Sequence, residues 1–120
     1  MYFETAQFPD SYLGKVNPSG FEVPPGGNNY SRNHVLNDHS YCCQLGDGIC
    51  DTGEPDPNRG EDCKNWHALR IGTRADDAKK LGIPLIISEF GACMESEVCA
   101  REITQVADEC DNVLAGWAYW

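Results

Sequence analysis

The chain has 120 residues, 41% of them hydrophobic, and a formal net charge of -10. The acidic balance excludes nucleic acid and anionic membrane surfaces as partners and favours a neutral ligand. No apolar run approaches the length of a membrane span, and the amino terminus lacks the charged, apolar and small-residue regions of a signal peptide.

Met1 to Thr5 reads as a brief strand with Tyr2 and Glu4 on one face. From Gln7 to Arg32 the chain is rich in Pro, Gly, Asn and Ser, which predicts a long loop. Asn33 to Tyr41 resumes a strand, with Val35, Asn37, His39 and Tyr41 on one face in period two. A cysteine-rich acidic loop follows from Cys42 to Cys63, in which Asp47, Asp51, Glu54, Asp56, Glu61 and Asp62 face a single Arg59. Its Asp-Gly-Ile-Cys-Asp-Thr-Gly-Glu core resembles small calcium loops without meeting the full EF-hand spacing, so a solvated, disulfide-stapled loop is the preferred reading. Cys50 and Cys63 are one candidate pair among several. The seven cysteines point to an oxidising compartment, secreted, lysosomal or lumenal, and the one open sequon, Asn29-Tyr30-Ser31, agrees.

Trp66 to Leu81 shows helical spacing through Ala75, Ala78 and Leu81, closed by Gly82 and Pro84. Pro84 to Cys93 is then an apolar run that predicts a buried strand of a parallel sheet, with Glu89 at its carboxyl end. Strict alternation puts Leu85, Ile87 and Glu89 on one face. Glu95 to Cys110 predicts a second helix with an apolar stripe of Cys99, Ile103, Val106, Ala107 and Cys110, the two cysteines being read as small buried hydrophobes. Val113 to Trp120 predicts a last strand, in which Leu114, Gly116, Ala118 and Trp120 alternate against Ala115, Trp117 and Tyr119. Trp117 is expected to face helices.

This order predicts an α/β fold of βα units on a parallel sheet. Four strand ends would bring Glu4, His39 with Tyr41, Glu89 and Trp120 into one polar and aromatic site. Such a site, drawn from several strand tips, argues for a (β/α)8 barrel, of which 120 residues form only part, because a whole barrel needs about 250. Tyr41 and His39 can donate hydrogen bonds to Glu89 or to a bound ligand, and Trp120 offers a flat apolar face.

At these residues the chain resembles glycoside hydrolase family 5, in the clan of retaining glycosidases. Leu85-Ile-Ile-Ser-Glu-Phe-Gly resembles the seventh strand of that family, Asp38-His39-Ser40-Tyr41 the sixth, and Gly116-Trp117-Ala118-Tyr119-Trp120 the eighth. Tyr41-Cys42-Cys43, Arg74 to Pro84 and Glu89-Phe-Gly-Ala-Cys look most like endoglycoceramidase and glucosylceramidase-related members, and Met1-Tyr2-Phe3-Glu4 is similar to their fifth strand. The resemblance implies that residues 1–120 are the carboxyl-terminal half of the catalytic barrel, about strands five to eight, with an insertion at 42–63. It implies Glu89 as nucleophile, Tyr41 as its hydrogen-bond donor, His39 beside the scissile bond and Trp120 as sugar platform.

The implied activity is retaining hydrolysis of a β-glycoside through a covalent glycosyl-enzyme, with a carbohydrate or glycolipid such as a glycosylceramide as substrate and no cofactor or metal ion. The loop Phe21 to Asn28 is a candidate contact for a lipid aglycone. In the family the acid/base follows an asparagine, and this chain has no Asn-Glu pair. Glu4 is therefore assigned to substrate contact, the proton donor to the missing amino-terminal half of the barrel, and the isolated chain is expected to be inactive. The alternative is a non-catalytic, disulfide-stapled carbohydrate- or calcium-binding module.

Overall fold

The computed structural model describes residues 1–5, 11–12, 15–45, 54–94 and 96–120. In chain order the elements are β1 (Tyr2–Glu4), β2 (Ser11–Tyr12), β3 (Lys15–Val16), β4 (Val35–His39), α1 (Gly60–Leu81), β5 (Leu85–Glu89), α2 (Glu97–Val113) and β6 (Gly116–Trp117), with short 3-10 turns at Asn28–Asn33, Cys42–Leu45 and Pro57–Arg59. Strands β1, β4, β5 and β6 form one parallel sheet in that order, and β2 pairs with β3 as a small antiparallel ribbon inside the expected loop. The calcium-loop residues Asp47 and Asp51, and Cys50, lie outside the described residues.

Helix α1 starts at Gly60, ahead of the Trp66 predicted from spacing, because its first turn is polar and buries only Cys63. Local chemistry supports that turn. Asp56 accepts the Asn58 N–H at 2.8 Å in the lead-in, and Glu61 and Asp62 complement the helix dipole. Gly82, at φ 66°, closes the helix by donating its N–H back to Lys79, as the Gly-Ile-Pro sequence predicts. Helix α2 begins at the Ser96 cap, whose Oγ accepts the Cys99 N–H at 3.0 Å. It runs through Val113 and ends on Leu114 in the left-handed region at φ 57°, with Ala115 N–H returning to Cys110. Leu114 is thus a cap residue, 93% exposed, and does not belong to the last strand.

Both helices pack on one face of the sheet. Leu36, Leu85 and Ile87 meet Ile71, Ala78, Leu81, Val106 and Cys110 in the core, and Phe90 is buried with them. Arg70, Arg74 and Asp38 are also fully buried in this layer, and Arg70 Nη2 and Arg74 Nε reach the two Asp38 oxygens at 2.6 and 2.9 Å. Arg74 continues to Asp77 at 3.0 Å, and Asp77 accepts the Ser19 N–H at 2.8 Å, so the network also ties down the loop before β4. Phe21 packs edge-on against Phe3, with ring centroids 5.3 Å apart. Its partly buried ring therefore packs against the core.

Two cysteine readings are corrected. Cys63 bonds to Cys42, whose Cα lies 5.0 Å away, and not to Cys50; the bridge pins the turn after β4 to the first turn of α1. Cys99 is buried but bonds to Cys93, with 5.8 Å between Cα atoms, because the loop after β5 passes the start of α2. Cys110 is a free, buried thiol, as expected, and burial first, with Asp111 and Glu109 second, pushes it up to about 12.

Candidate active site

Parallel strands align their carboxyl ends, and the chemistry of this chain collects there. Residues Glu4, Asn37, Ile86 and Gly116 are register partners across the sheet and lie on the face away from the helices. Strict alternation would have turned Glu89 to the opposite, helical face. The register prevents this: Asp38 pairs with Ile87 but His39 pairs with Glu89, so Ser88 is an extra residue and the strand bulges. The bulge re-aims the carboxylate, and Leu85 and Ile87 stay in the core while Glu89 joins His39. A backbone bond from Ser40 N–H to the Glu89 carbonyl, at 3.0 Å, closes the ladder beyond the bulge.

The side chains meet accordingly. His39 Nδ1 lies 3.4 Å from Glu89 Oε2, and its Nε2 lies 3.4 Å from Glu4 Oε2. Burial first, then the nearby Glu89 charge and hydrogen bonding toward that carboxylate, raise the Tyr41 pKa from 10.0 to about 12. The Tyr41 N–H is itself held by Gln44 Oε1 at 3.0 Å. Solvent access grades across the group, with the His39 side chain 19% exposed, Glu89 33% and Glu4 46%. A half-buried carboxylate is thus flanked by an imidazole and a phenol that stays protonated through the neutral range.

Strand β6 reaches the same end. Beyond Trp117 its pairing continues, with Ala118 N–H to Ile87 at 2.9 Å and Trp120 N–H to Phe90 at 3.1 Å, while Trp120 accepts the Ala92 N–H at 3.1 Å. Trp120 is 67% exposed, its backbone fixed beside the segment that follows Glu89. Trp117 pairs with Ile87 and so lies on the helix-facing side of the sheet, as predicted, but it is not a core residue. Its ring meets buried Phe90 edge-on at 5.9 Å but stays 47% exposed, because β6 is the outer strand among those described and nothing described covers its far side. Gly91, at φ 88°, lets the chain pass beneath the Tyr119 ring, where a Cβ would collide.

Asn37 belongs to the group although only the alternation of β4 hints at it. Its Nδ2 donates to Glu4 Oε2 at 3.1 Å and lies 3.4 Å from His39 Nε2. An amide donor there suits an imidazole whose proton sits on Nδ1, facing Glu89.

The elevated Tyr41 value gives a test with a definite sign. A phenol whose pKa is higher folded than unfolded stabilises the fold at pH below about 10, and that contribution is lost as pH rises from there through about 12. Ultraviolet titration of the protein against its Tyr41→Phe variant should therefore show one phenol ionising late, with a midpoint well above 10; a difference spectrum centred on the ordinary tyrosine value removes the Tyr41 to Glu89 bond from the site.

The family model "Cellulase (glycosyl hydrolase family 5)" matches residues 8–120. Among solved structures the chain is similar to the clostridial cellulose synthase subunit Z of Clostridioides difficile, at 20% identity and a TM-score of 0.52, over 73% of this chain and 33% of that one. The chain thus spans about a third of the length of the structure it resembles. No curated protein matches it. Its parallel sheet, with helices on one face and polar residues gathered at the carboxyl ends of the strands, is part of a (β/α)8 barrel, and the chain belongs to the cellulase family, glycosyl hydrolase family 5.

Proposed function

We propose that residues 1–120 are the carboxyl-terminal half of the catalytic domain of a retaining β-glycosidase, with residues 42–63 as an insertion, and that Glu89 is its nucleophile. One observation carries this reading: the carboxylate at the end of β5 lies 3.4 Å from His39 Nδ1 and close enough to the Tyr41 phenol for its charge to raise that phenol's pKa. Donors of that kind fix the rotamer of a carboxylate and favour its charged form, which is the form that attacks an anomeric carbon. The face of Trp120 would support the sugar ring. Glu4 and Asn37 would contact its hydroxyls.

Retaining hydrolysis also needs an acid/base carboxyl about 5 Å from the nucleophile. Glu4 is a poor fit to that part, because the His39 ring stands between it and Glu89, with a nitrogen toward each. The proton donor is assigned to the preceding half of the barrel, which makes the isolated chain inactive. The disulfides at Cys42–Cys63 and Cys93–Cys99 are compatible with a secreted or lumenal location. The motif similarities at Tyr41 to Cys43 and Arg74 to Pro84 support a glycolipid of the glycosylceramide class as substrate.

Covalent labelling tests the assignment. The full-length protein, treated with activated 2-deoxy-2-fluoro glucosides and cellobiosides, should accumulate a glycosyl ester that peptide mapping places on Glu89. An adduct elsewhere, or none with either probe, would favour a non-catalytic binding module.

A further inference from the structure

Three polar side chains outside the site are sealed between the helices and the sheet. Ser40 and His67 are 0% exposed and Glu102 is 3% exposed. They come from the end of β4, from α1 and from α2, and they touch in sequence: Ser40 Oγ lies 2.8 Å from His67 Nδ1, and His67 Nε2 lies 3.3 Å from Glu102 Oε1. That same Glu102 oxygen accepts the Cys42 N–H at 3.1 Å. We infer that Glu102, His67 and Ser40 form a positioning relay that sets the angle at which His39 and Tyr41 meet Glu89.

The argument runs from placement to consequence. Ser40 and Cys42 bracket Tyr41, and Ser40 follows His39 directly, so both ends of the short segment bearing the two donors are fastened to this relay. The backbone of Ser40 is at the same time bonded to the Glu89 carbonyl at 3.0 Å. One residue therefore couples the relay, the donor segment and the carboxylate strand. The directional bonds are those of Ser40 Oγ with His67 Nδ1 and of Cys42 N–H with Glu102 Oε1, while His67 Nε2 meets Glu102 Oε1 as a close polar contact at 3.3 Å without hydrogen-bond geometry. Directional bonds of this kind, in a dry interior, restrict orientation in a way that apolar packing does not.

The order serine, histidine, carboxylate is also that of a hydrolytic triad. Access excludes that role here, because a nucleophile must reach its substrate and Ser40 has no exposed surface. Stability alone is a weak account as well, since buried polar groups are often replaceable by apolar ones without loss. What remains is geometry. Reacting groups held within a fraction of an ångström gain rate, and a displacement of about 1 Å can cost up to about 100-fold.

The inference rests on the proposed role of Glu89 and is tested in the full-length protein with the same 2-fluoro glycosides, by following labelling as a function of probe concentration. Ser40→Ala removes one hydroxyl, His67→Gln keeps a donor toward Glu102 only, and His67→Asn keeps an amide toward Ser40 only. Ser40→Ala and His67→Gln should lower the maximal labelling rate about tenfold while the dissociation constant of the probe stays within about twofold, and His67→Asn should recover most of the loss. Thermal melts alongside separate this from unfolding. Wild-type labelling rates in all three variants, whatever their melting points, would overturn the relay and leave the glycosidase reading standing. An unlabelled wild-type protein would overturn both.

Discussion

With Glu89 in the proposed nucleophile role, Glu89→Ala in the full-length protein is expected to lower turnover of an aryl β-glucoside on the order of 10⁴-fold or more, leaving only binding and electrostatic contributions. The fold should survive the change. The Glu89 side chain is one-third exposed and lies on the face away from the core, so its loss opens a space to water and leaves no buried charge without a partner. Tyr41 loses its carboxylate partner, and its pKa should fall back toward 10 as the charge and hydrogen bond of Glu89 disappear, while the contribution of burial persists. Azide supplies a second readout: a small anion entering the vacated space can attack the anomeric carbon from the side the carboxylate used, so the product should be the α-glycosyl azide. Turnover within tenfold of the wild type, or a β-configured azide product, would remove Glu89 from the nucleophile's place.

Much of this site was legible because its residues stand at the ends of strands with clear apolar stems. Leu85 to Ile87 announce a buried strand, and the step from Ser88 to Glu89 marks its polar end. The period-two spacing of Asn37, His39 and Tyr41 puts three polar groups on one side of β4, where they are found. What could not be read is the orientation of Glu89 itself. Alternation assigns it to the core face, and only the bulge at Ser88, a property of the pairing with β4, turns it to His39. Local sequence carries no mark of a register shift that depends on a second strand.

The interior was less legible for a related reason. Apolar periodicity finds a helix by its buried face, but the buried face of α1 carries His67, Arg70, Arg74 and Asp77 beside Trp66 and Ile71. The two arginines are hidden there with Asp38, distant in the chain, as the carboxylate they share. Likewise Glu102 reads as a surface residue of α2 until His67 and the Cys42 N–H are found against it. The disulfides follow the same logic, since Cys42 and Cys63 become neighbours only after α1 has folded back over the end of β4.

The buried ion network is where the second large effect is expected. Asp38→Ala leaves two guanidinium groups without their shared carboxylate in a layer where Arg70 and Arg74 are 0% exposed, and breaking a buried pair from one side typically costs about 3–5 kcal/mol. Burial already pushes the Arg74 pKa below its usual value, with Asp77 opposing the shift, and without Asp38 the guanidinium would lean more heavily on Asp77 and the Asn17 carbonyl. Denaturant unfolding of the full-length protein should show the midpoint falling with little change in slope. Glu4→Ala is the matched control, because its contact with His39 is half-exposed and worth at most about 1 kcal/mol. A cost for Asp38→Ala no larger than that control would mean that the network contributes nothing to stability. A triple replacement by apolar residues, Asp38→Leu with Arg70→Met and Arg74→Leu, separates stability from site geometry. Packing can restore the stability, as apolar substitutes for buried ion networks often do. It cannot restore the bond from Arg70 Nε to the His39 carbonyl, which stands at 2.6 Å and anchors the imidazole from behind. The triple variant is therefore expected to unfold near the wild-type midpoint and yet label more slowly at Glu89, because the network's second task is to hold His39 toward the carboxylate.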